Sequence, residues 1–353
     1  MFHPLRVSEV ERLTDDAVAV TFAVPPELRE TFRHTPGQHL AVRRTGAGGE
    51  EIRRTYSICS PAAGAGEDPV LRVGIRLVEG GEFSTYALKE LAVGHTVEVM
   101  APMGRFLLEP RPGHFAAIVG GSGITPVLSM ASTLLVREPA ARFCLIRSDR
   151  TAASTMFLEE VADLKDRYPD RFQLVTVLSR EEQQSGLPSG RLDQERLAGL
   201  LPALLPVGEV DGWFLCGPFG LVAGADRALR GLGVDRARIH QEIFHVDDGS
   251  APATVGPATA PAHATLTATL DGRSGTWPVA EGESLLDTVL RSRSDAPYAC
   301  KGGVCGTCRA FLVAGEVRMD RNYALENEET EAGYVLACQS HPVTADVELD
   351  FDR

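Results

Sequence analysis

The chain has 353 residues, of which 44% are hydrophobic and 24% are charged. A chain of this length and composition can form two or three globular domains, each with its own core. Its net charge of −13 argues against a nucleic-acid partner, because phosphate binding needs a basic surface. No apolar run approaches the roughly 20 residues of a membrane helix, and the N-terminal segment does not resemble a secretory signal. We therefore expect a cytoplasmic protein with neither nucleic acid nor a membrane as a partner.

Residues 1–110 alternate polar and apolar side chains in short runs that Gly and Pro clusters separate. This pattern is typical of short antiparallel strands in a barrel or sandwich, as in VAVTFAV (18–24), QHLAVR (38–43), LRVGIRLV (71–78) and HTVEVMAP (95–102). Between the last two runs, Gly80, Gly81 and Ser84 open a helical pattern. A helix N-terminus offers free N–H groups and the positive end of a dipole, which suits a pyrophosphate. A hairpin turn is the alternative for the two glycines.

The pattern changes in residues 111–245, where apolar strands alternate with helical stretches. Such alternation predicts an α/β domain with a parallel sheet. The apolar run FAAIV (115–119) leads into GGSGITP (120–126), which opens a helix. A Gly-rich turn between a strand and a helix cradles dinucleotide phosphates. The turn is not GxGxxG, so a Rossmann dehydrogenase is disfavoured, and the residues expected to bind the coenzyme here are Gly121, Gly123, Thr125 and Pro126.

A linker and a third domain are predicted to follow. Residues 246–262 are rich in Ala, Pro, Gly and Thr and have no periodic apolar face, which is typical of a linker. Residues 263–353 contain strand patterns at TLTATL (265–270), RAFLVAG (309–315) and VTADVELDF (343–351). They hold 8 Lys and Arg against 15 Asp and Glu. Such an acidic surface is either simply solvated or a docking face for a basic partner.

Four of the seven cysteines carry the strongest signal in the chain. Cys300, Cys305 and Cys308 follow the spacing C-x4-C-x2-C, and Cys338 comes 30 residues later. This is the plant-type ferredoxin arrangement, in which four thiolates hold a [2Fe–2S] cluster. Glycines in the loop allow the backbone to turn its N–H groups toward sulfur. A zinc site is the alternative, although zinc sites more often pair CxxC with CxxC.

The motifs resemble, in their order, those of the ferredoxin–NADP reductase superfamily. RTYSICS (54–60) is similar to the flavin motif of that superfamily, GGSGITP to its GxGxTP loop, and CGP (216–218) to its second nicotinamide motif. The resemblance implies a multi-domain protein. Its parts would be an antiparallel β-barrel FAD domain, an α/β parallel-sheet NAD(P) domain and an α+β ferredoxin domain of the β-grasp type.

The resemblance also implies roles for the flavin motif. Arg54 would pair with the FAD pyrophosphate, for which a planar guanidinium is suited because it makes bidentate, charge-assisted hydrogen bonds. Tyr56 would pack on the isoalloxazine ring, and Ser57 would reach the N5 region of the flavin. Thr55 lies within the same motif and is expected to bind the cofactor.

The resemblance implies roles for three further residues, two near the nicotinamide and one near the flavin. Cys216 would lie close to the carbon that releases hydride, with Gly217 beside it, and the alternative for Cys216 is a small buried core residue. Glu242 resembles a carboxylate that lies near the flavin in relatives and assists its protonation. An ordinary surface charge is the alternative for Glu242.

NADPH is favoured over NADH by cations after two strands. Arg147 and Arg150 follow one predicted strand, and Ser179 and Arg180 follow the next. In NADP-dependent relatives, similar positions contact the 2′-phosphate. No Asp or Glu stands immediately at the end of the FCLIRS strand, where NADH-dependent relatives often carry an acid. NADH remains possible, because Asp149 lies close to that position and because exposed arginines are common on loops.

The resemblance extends over nearly the whole chain to reductase components of the phenylacetyl-CoA epoxidase type. The stretches YACKGGVCGTC (298–308) and AGYVLACQSHPVTADVELDFD (332–352) carry it. It implies an NADPH-dependent reductase with FAD and a [2Fe–2S] cluster that delivers single electrons to a di-iron oxygenase component. Alternatives are a reductase of another di-iron or Rieske oxygenase or of a cytochrome P450, an electron carrier without NADPH activity, and a zinc-binding regulator.

Overall fold

The computed structural model describes residues 1–46, 48–49, 51–181, 190–245, 264–293, 295–298, 300–325 and 327–353. These residues form two compact units, one spanning Phe2–His245 and one containing the described residues from 264 onward. The predicted linker, residues 246–262, lies outside the described residues. None of the helices in the described part of the chain is long and apolar enough to cross a membrane.

An antiparallel barrel forms the first part of the Phe2–His245 unit, as predicted. Its described strands are β1 (Phe2–Thr14), β2 (Ala17–Ala23), β3 (His39–Thr45), β4 (Glu51–Ser57), β5 (Leu71–Arg76) and β6 (Thr96–Met100). They pair in the order β4-β3-β6-β1-β2-β5. A bridge between Ile58 and Val73 joins the end of β4 to β5 and closes the sheet. Helix α1 (Glu82–Lys89) packs on β4 and β5 beside this seam.

Alternate side chains of the strands line the interior of the barrel. Inward side chains such as Val20, Leu40, Val42 and Val73 are fully buried in one apolar cluster. On β1, Arg6 between two buried side chains is exposed, but Ala41 on β3 is buried as well, so the outside of the barrel is only partly polar.

A parallel sheet with helices forms the second part of the unit, also as predicted. The described strands are β7 (His114–Gly120), β8 (Arg142–Asp149), β9 (Phe172–Leu178), β10 (Gly212–Pro218) and β11 (Ile239–His245). The described helices are α2 (Ile124–Arg137), α3 (Leu158–Arg167), α4 (Gln194–Leu204) and α5 (Phe219–Gly231). The strand order is β11-β10-β7-β8-β9, and every pair is parallel. The carboxyl ends of all five strands therefore meet at one edge, where ligands bind in such sheets.

The barrel and the parallel sheet pack directly on each other. A Cβ built on Gly74 of β5 would lie 2.7 Å from Thr125 Cγ2 and 2.9 Å from a ring carbon of Phe157. Arg72 of the same strand forms an ion pair with Glu160 of α3 at 3.1 Å. Gly74 is thus required by close approach, and strand β5 belongs to the contact surface of both halves.

The described part of the second unit consists of a five-stranded mixed sheet, a two-stranded sheet and two short helices. Its described elements are β12 (Ala264–Leu270), β13 (Arg273–Val279), α6 (Leu285–Leu290), β14 (Arg309–Ala314), β15 (Val317–Met319), α7 (Asn327–Glu331), β16 (Tyr334–Leu336), β17 (Ser340–Pro342) and β18 (Asp346–Asp350). The main sheet has the order β13-β12-β18-β14-β16, in which only β12 and β18 pair in parallel among the described strands. The residues of β12 alternate strictly between buried and half-buried, and α6 covers the buried face. This is the α+β ferredoxin domain that the sequence predicts.

Candidate functional site

The flavin motif lies on β4, the strand at the barrel seam. Arg54 is exposed, Thr55 and Tyr56 are half-buried, and Ser57 is buried. The Tyr56 ring lies 5.6 Å from the ring of Phe83 on α1, so the strand and the helix are held together at this point. Burial raises the pKa of the Tyr56 phenol, which stays neutral. The motif thus presents a cation, an aromatic ring and a hydroxyl along one strand.

The start of α1 lies beside that strand. Gly80 has a φ of +71° and turns the chain into the helix, for which Gly81 is the N-cap. The first N–H groups of a helix have no intrahelical acceptor and favour an anion. The Ser84 hydroxyl, however, accepts from the N–H of Val78 at 3.1 Å and donates to the carbonyl of Gly81 at 3.0 Å. In this structure the hydroxyl therefore builds the turn, while the backbone N–H groups offer the anion site.

The GGSGITP loop and the CGP segment touch backbone to backbone at the carboxyl edge of the parallel sheet. A Cβ on Gly123 would lie 2.3 Å from the carbonyl oxygen of Cys216. Gly217 has a φ of +139°, and a Cβ there would lie 2.9 Å from the carbonyl oxygen of Gly120. These glycines are needed because no side chain fits between the two loops. Sequence reasoning named both loops, and the structure brings them into contact.

The next two residues of the loop begin helix α2. Thr125 is buried and its hydroxyl donates to the carbonyl of Ser122 at 3.0 Å. Pro126 lies in the first turn of the helix, where a missing N–H costs no intrahelical hydrogen bond. Both residues fix the path of the loop, so that Gly121 and its neighbours face the sheet edge.

Glu242 joins the flavin motif to the CGP segment. It lies directly across from Cys216 in the register of β10 and β11, and Ser57 Oγ donates to its Oε2 at 3.4 Å. The side chain is 15% exposed, and burial raises its pKa to about 8. Burial and the Glu242 carboxylate raise the pKa of the Cys216 thiol. Ser57, Cys216 and Glu242, which the sequence predicts from three separate segments, therefore form one cluster.

His39 belongs to this cluster, although sequence reasoning missed it. It pairs with Ser57 in the register of β3 and β4, and its Nδ1 lies 3.9 Å from Glu242 Oε1. Burial lowers its pKa to about 4, so the imidazole is neutral at pH 7. Gly104 has a φ of +114°, and a Cβ there would lie 2.8 Å from His39 Nδ1. The signal for His39 is the β3–β4 register, which a single sequence does not reveal.

Arg76 is a second residue that the sequence did not indicate. It is the last residue of β5 in the barrel, yet its guanidinium lies 3.1 Å from where a Cβ of Gly121 would be. It forms an ion pair with Asp16 at 3.3 Å and donates to the carbonyl of Ser154. A cation of the barrel thus lies beside the Gly-rich loop of the other half.

The predicted 2′-phosphate residues come together after β8 and β9. The N–H of Ser179 donates to the carbonyl of Asp149 at 2.8 Å, and the N–H of Arg180 donates to that of Arg150 at 2.9 Å. Arg150 and Arg180 are both exposed. Arg147 points the other way: it is buried and forms an ion pair with Asp149 at 2.7 Å. Asp149 is therefore turned inward as well, with its Oδ2 paired to Arg147.

The four cysteines of the second unit form one group of thiols. The neighbouring Cys305 thiol and the N–H groups of Gly302 and Cys305 lower the pKa of Cys300. The neighbouring Cys308 thiol lowers the pKa of Cys338. No three His, Cys, Asp or Glu side chains among the described residues already have metal-binding geometry.

The loop around these thiols fits an iron–sulfur cluster. The N–H groups of Gly302 and Cys305 donate to Cys300 Sγ at 3.3 and 3.4 Å. Gly303 and Gly306 have φ angles of +76° and +68°, which let the loop turn its N–H groups inward. Backbone donors aimed at sulfur are what a set of cluster thiolates requires.

Three family matches agree with this division of the chain. Residues 4–107 match the oxidoreductase FAD-binding domain, residues 117–227 the oxidoreductase NAD-binding domain, and residues 268–343 the 2Fe-2S iron-sulfur cluster binding domain. The three domains in one chain define an oxidoreductase that carries FAD, a nicotinamide coenzyme and a [2Fe–2S] cluster.

Similar proteins narrow the class further. The chain is 44% identical, over 99% of its length and 98% of the relative, to a component of the 1,2-phenylacetyl-CoA epoxidase of Escherichia coli (strain K12). It is 34% identical, over 98% of its length and 96% of the relative, to the ferredoxin reductase component of 3-ketosteroid-9-alpha-monooxygenase of Rhodococcus rhodochrous. The chain therefore belongs to the family of oxygenase reductase components.

A solved structure supports the fold. Phthalate dioxygenase reductase aligns with a TM-score of 0.60 at 23% identity, over 99% of this chain and 98% of that chain. At this identity the likeness concerns the fold alone, and it includes all three domains.

Proposed function

We propose that this protein oxidises NADPH and delivers single electrons to the di-iron oxygenase component of a phenylacetyl-CoA epoxidase. The observation that carries the proposal is the 44% identity to the Escherichia coli epoxidase component, which extends over 99% of the chain. FAD accepts two electrons together and releases them singly, and a [2Fe–2S] cluster carries one at a time. Seven free cysteines in the described residues fit a cytoplasmic protein.

At the flavin end, two elements would supply the cofactor contacts. Arg54 and the N-terminus of α1 with Gly80 and Gly81 would hold the pyrophosphate, since both offer donors for an anion. Tyr56 would pack on the flavin ring and Ser57 would face its reactive edge. The packing of Tyr56 on Phe83 supports this arrangement, because it fixes the strand against the helix.

At the nicotinamide end, the Gly-rich loop from Gly121 to Pro126 would hold the coenzyme phosphates. The Arg76 guanidinium, which also pairs with Asp16, lies beside that loop. Cys216 and Gly217 would face the nicotinamide, and the buried, neutral Cys216 thiol fits a steric rather than a nucleophilic role. Glu242 would hold a proton between Ser57 and Cys216, within reach of the flavin.

Residues at the carboxyl ends of β8 and β9 support the choice of NADPH. Arg150, Ser179 and Arg180 would bind the 2′-phosphate, for which two exposed guanidinium groups and a hydroxyl are suitable donors. The inward ion pair of Asp149 with Arg147 supports this choice, since the Asp149 carboxylate is buried and turned away from a ribose hydroxyl.

At the cluster end, Cys300, Cys305, Cys308 and Cys338 would hold the [2Fe–2S] cluster, which would supply one-electron transfer toward the oxygenase. The N–H groups of Gly302 and Cys305, which donate to Cys300 Sγ at 3.3 and 3.4 Å, support this assignment.

Reconstitution tests the proposal. The purified protein is mixed without oxygen with NADPH or NADH, and the visible spectrum is followed for bleaching of flavin and cluster bands. The reduced protein is then supplied to a di-iron epoxidase component with phenylacetyl-CoA, and epoxide is measured. Bleaching by NADPH and epoxide formation are expected.

A second candidate partner is an oxygenase like the 3-ketosteroid monooxygenase, which the 34% identity favours. Its oxygenase component serves as the parallel acceptor in the same assay. Turnover with this acceptor but not with the epoxidase component would replace the partner in the proposal and leave the reductase chemistry intact.

A further inference from the structure

Lys301, directly after the first cluster cysteine, has an unusual backbone conformation. Its φ is +51°, in the left-handed region, which it shares with Phe157 and Asp271 among the described residues other than glycine. An L side chain is strained there, because its Cβ approaches the following carbonyl. Such a conformation persists only where the surroundings hold it.

Both ends of Lys301 are held. Its carbonyl accepts a hydrogen bond from Gln339 Nε2 at 2.8 Å. Its ammonium group pairs with Asp287 Oδ1 at 2.8 Å and lies 4.8 Å from the Tyr298 ring. The Lys301 side chain is 45% exposed, so the ion pair is screened by solvent. The hydrogen bond from Gln339 is the contact on the backbone itself.

Gln339 is well placed to be that anchor, since its own position is fixed. Its N–H donates to the carbonyl of Leu336 at 2.9 Å, and its carbonyl accepts from Asp320 at 2.8 Å. Its Nε2 also donates to the carbonyl of Cys338 at 3.1 Å. One amide group therefore connects the loop of the first ligand to the segment of the fourth.

The conformation of Lys301 decides where the next amide points. Gly302 N–H donates to Cys300 Sγ at 3.3 Å. If Lys301 relaxed to a negative φ, the peptide plane between Lys301 and Gly302 would rotate, and this N–H would leave the sulfur. Hydrogen bonds to cluster sulfurs stabilise the more negative, reduced state and so raise the reduction potential.

We propose that Gln339 is a positioning residue for the cluster. By holding the Lys301 carbonyl, it keeps the backbone of Lys301 in the left-handed conformation, and the Gly302 N–H therefore stays directed at the Cys300 sulfur. This contact keeps the cluster potential higher than it would otherwise be. The proposal rests on the proposed function only in assigning the [2Fe–2S] cluster to the four cysteines.

The test is a double-mutant cycle on the full-length, cluster-loaded protein. Gln339→Met removes the donor at nearly constant side-chain size. Lys301→Gly allows the left-handed conformation without strain, because glycine populates it freely. The midpoint potential of the cluster is measured for all four proteins by titration with dithionite and mediators, with EPR of the reduced state. Dithionite needs neither NADPH nor an oxygenase, so failure of the proposed function would not affect this result.

Gln339→Met is expected to shift the potential to a more negative value in the native background and not in the Lys301→Gly background. The charge lost with Lys301 is common to both members of the second pair and cancels. An equal shift in both backgrounds, or none in either, would overturn the proposal. If Gln339→Met loses the cluster, occupancy replaces potential as the measurement: recovery in the double variant supports the proposal, and loss in both contradicts it.

Discussion

The Glu242 carboxyl lies between the Ser57 hydroxyl, the neutral His39 imidazole and the buried Cys216 thiol. None of these three neighbours carries a positive charge at pH 7, and the hydrogen bond from Ser57 offsets only part of the cost of burying a carboxylate. The pKa of Glu242 is accordingly raised to about 8. At pH 7 the group is mainly a protonated acid, which can donate a proton at Oε2 or Oε1.

The first prediction concerns the pH dependence of electron transfer. Because the acid form of Glu242 is lost as pH rises through about 8, the rate of NADPH-driven cytochrome c reduction should fall across that range. Glu242→Gln cannot exchange a proton and should be slower at pH 7 by about 100-fold, the usual scale for a general acid, with no inflection near pH 8. A variant as fast as the native protein at pH 7 would remove the proton-transfer role.

The second prediction concerns coenzyme choice. Arg150→Ala removes one charge-assisted contact to the 2′-phosphate, worth about 1.5–3 kcal/mol, so the Kd of NADPH should rise at least about 10-fold. The Kd of NADH should not change. Stopped-flow flavin reduction at varied coenzyme concentration gives both values.

Arg142→Ala is the matched control for that change. Arg142 is exposed like Arg150 but lies at the opposite, amino end of the same strand. Arg142→Ala should leave the Kd of both coenzymes unchanged. If the two substitutions weakened NADPH binding equally, net charge and not a 2′-phosphate site would govern the affinity.

At the scale of elements, the strands, the helices and the glycine turns could largely be predicted from the sequence. Alternation of apolar residues defines the barrel strands, and glycines between a strand and a helix define the coenzyme loop. These are local patterns, and local backbone geometry decides them. The sequence indicates Gly123 and Cys216 only as members of two motifs of the same superfamily. That the two residues touch is not visible in either local pattern.

What local patterns do not contain is the direction in which a side chain points after tertiary packing. Arg147 and Arg150 are three residues apart, and the sequence offers both as phosphate ligands. Only the structure shows that Arg147 is buried against Asp149. The sequence did not indicate His39 and Arg76 for a related reason. His39 is placed beside Ser57 by the pairing of two strands, and Arg76 lies beside a loop of the other half of the unit.

The third prediction tests the loop contact at the sheet edge. Gly123→Ala places a Cβ 2.3 Å from the Cys216 carbonyl oxygen, and one loop must move. Overpacking of this kind costs about 1–3 kcal/mol, so thermal unfolding should occur at lower temperature and coenzyme binding should weaken. Differential scanning fluorimetry and coenzyme titration measure the two effects.

Gly231→Ala is the control in that experiment. Gly231 is the last residue of α5, and a Cβ there meets nothing within 4 Å. Alanine in a helix is favoured over glycine by up to about 1 kcal/mol, so this variant should be as stable as the native protein or more so. A Gly123→Ala protein with unchanged stability and coenzyme affinity would show that the loops tolerate separation.

For the whole molecule, the position of the proposed sites predicts how function divides between the two units. All flavin and coenzyme residues lie within Phe2–His245, and all cluster cysteines lie in the other unit. A fragment of residues 1–250 should therefore bind FAD and reduce ferricyanide with NADPH at close to the native rate. It should no longer support the oxygenase, since it lacks the one-electron carrier.

A full-length Cys308→Ser, Cys338→Ser variant is the matched control for the fragment, because it keeps the chain and loses the cluster ligands. It should show the same pair of activities. If the fragment still supported the oxygenase, the cluster would not be part of the electron-transfer pathway.

The side chains of Arg72 and Arg76 extend from β5 of the barrel to the other half of the same unit. Arg72 contacts Glu160, and Arg76 contacts the carbonyl of Ser154. Arg72 is 19% exposed and also pairs with Glu11 of β1, so without Glu160 it would keep one acidic partner, which lies in the barrel. The ion pair with Glu160 is the part of this arrangement that connects the two halves, and we expect substitutions on β5 to be accompanied by substitutions near α3. Recombination between related reductases should consequently succeed when the pair is inherited as a single block, and chimaeras joined between residues 76 and 154 should fold poorly.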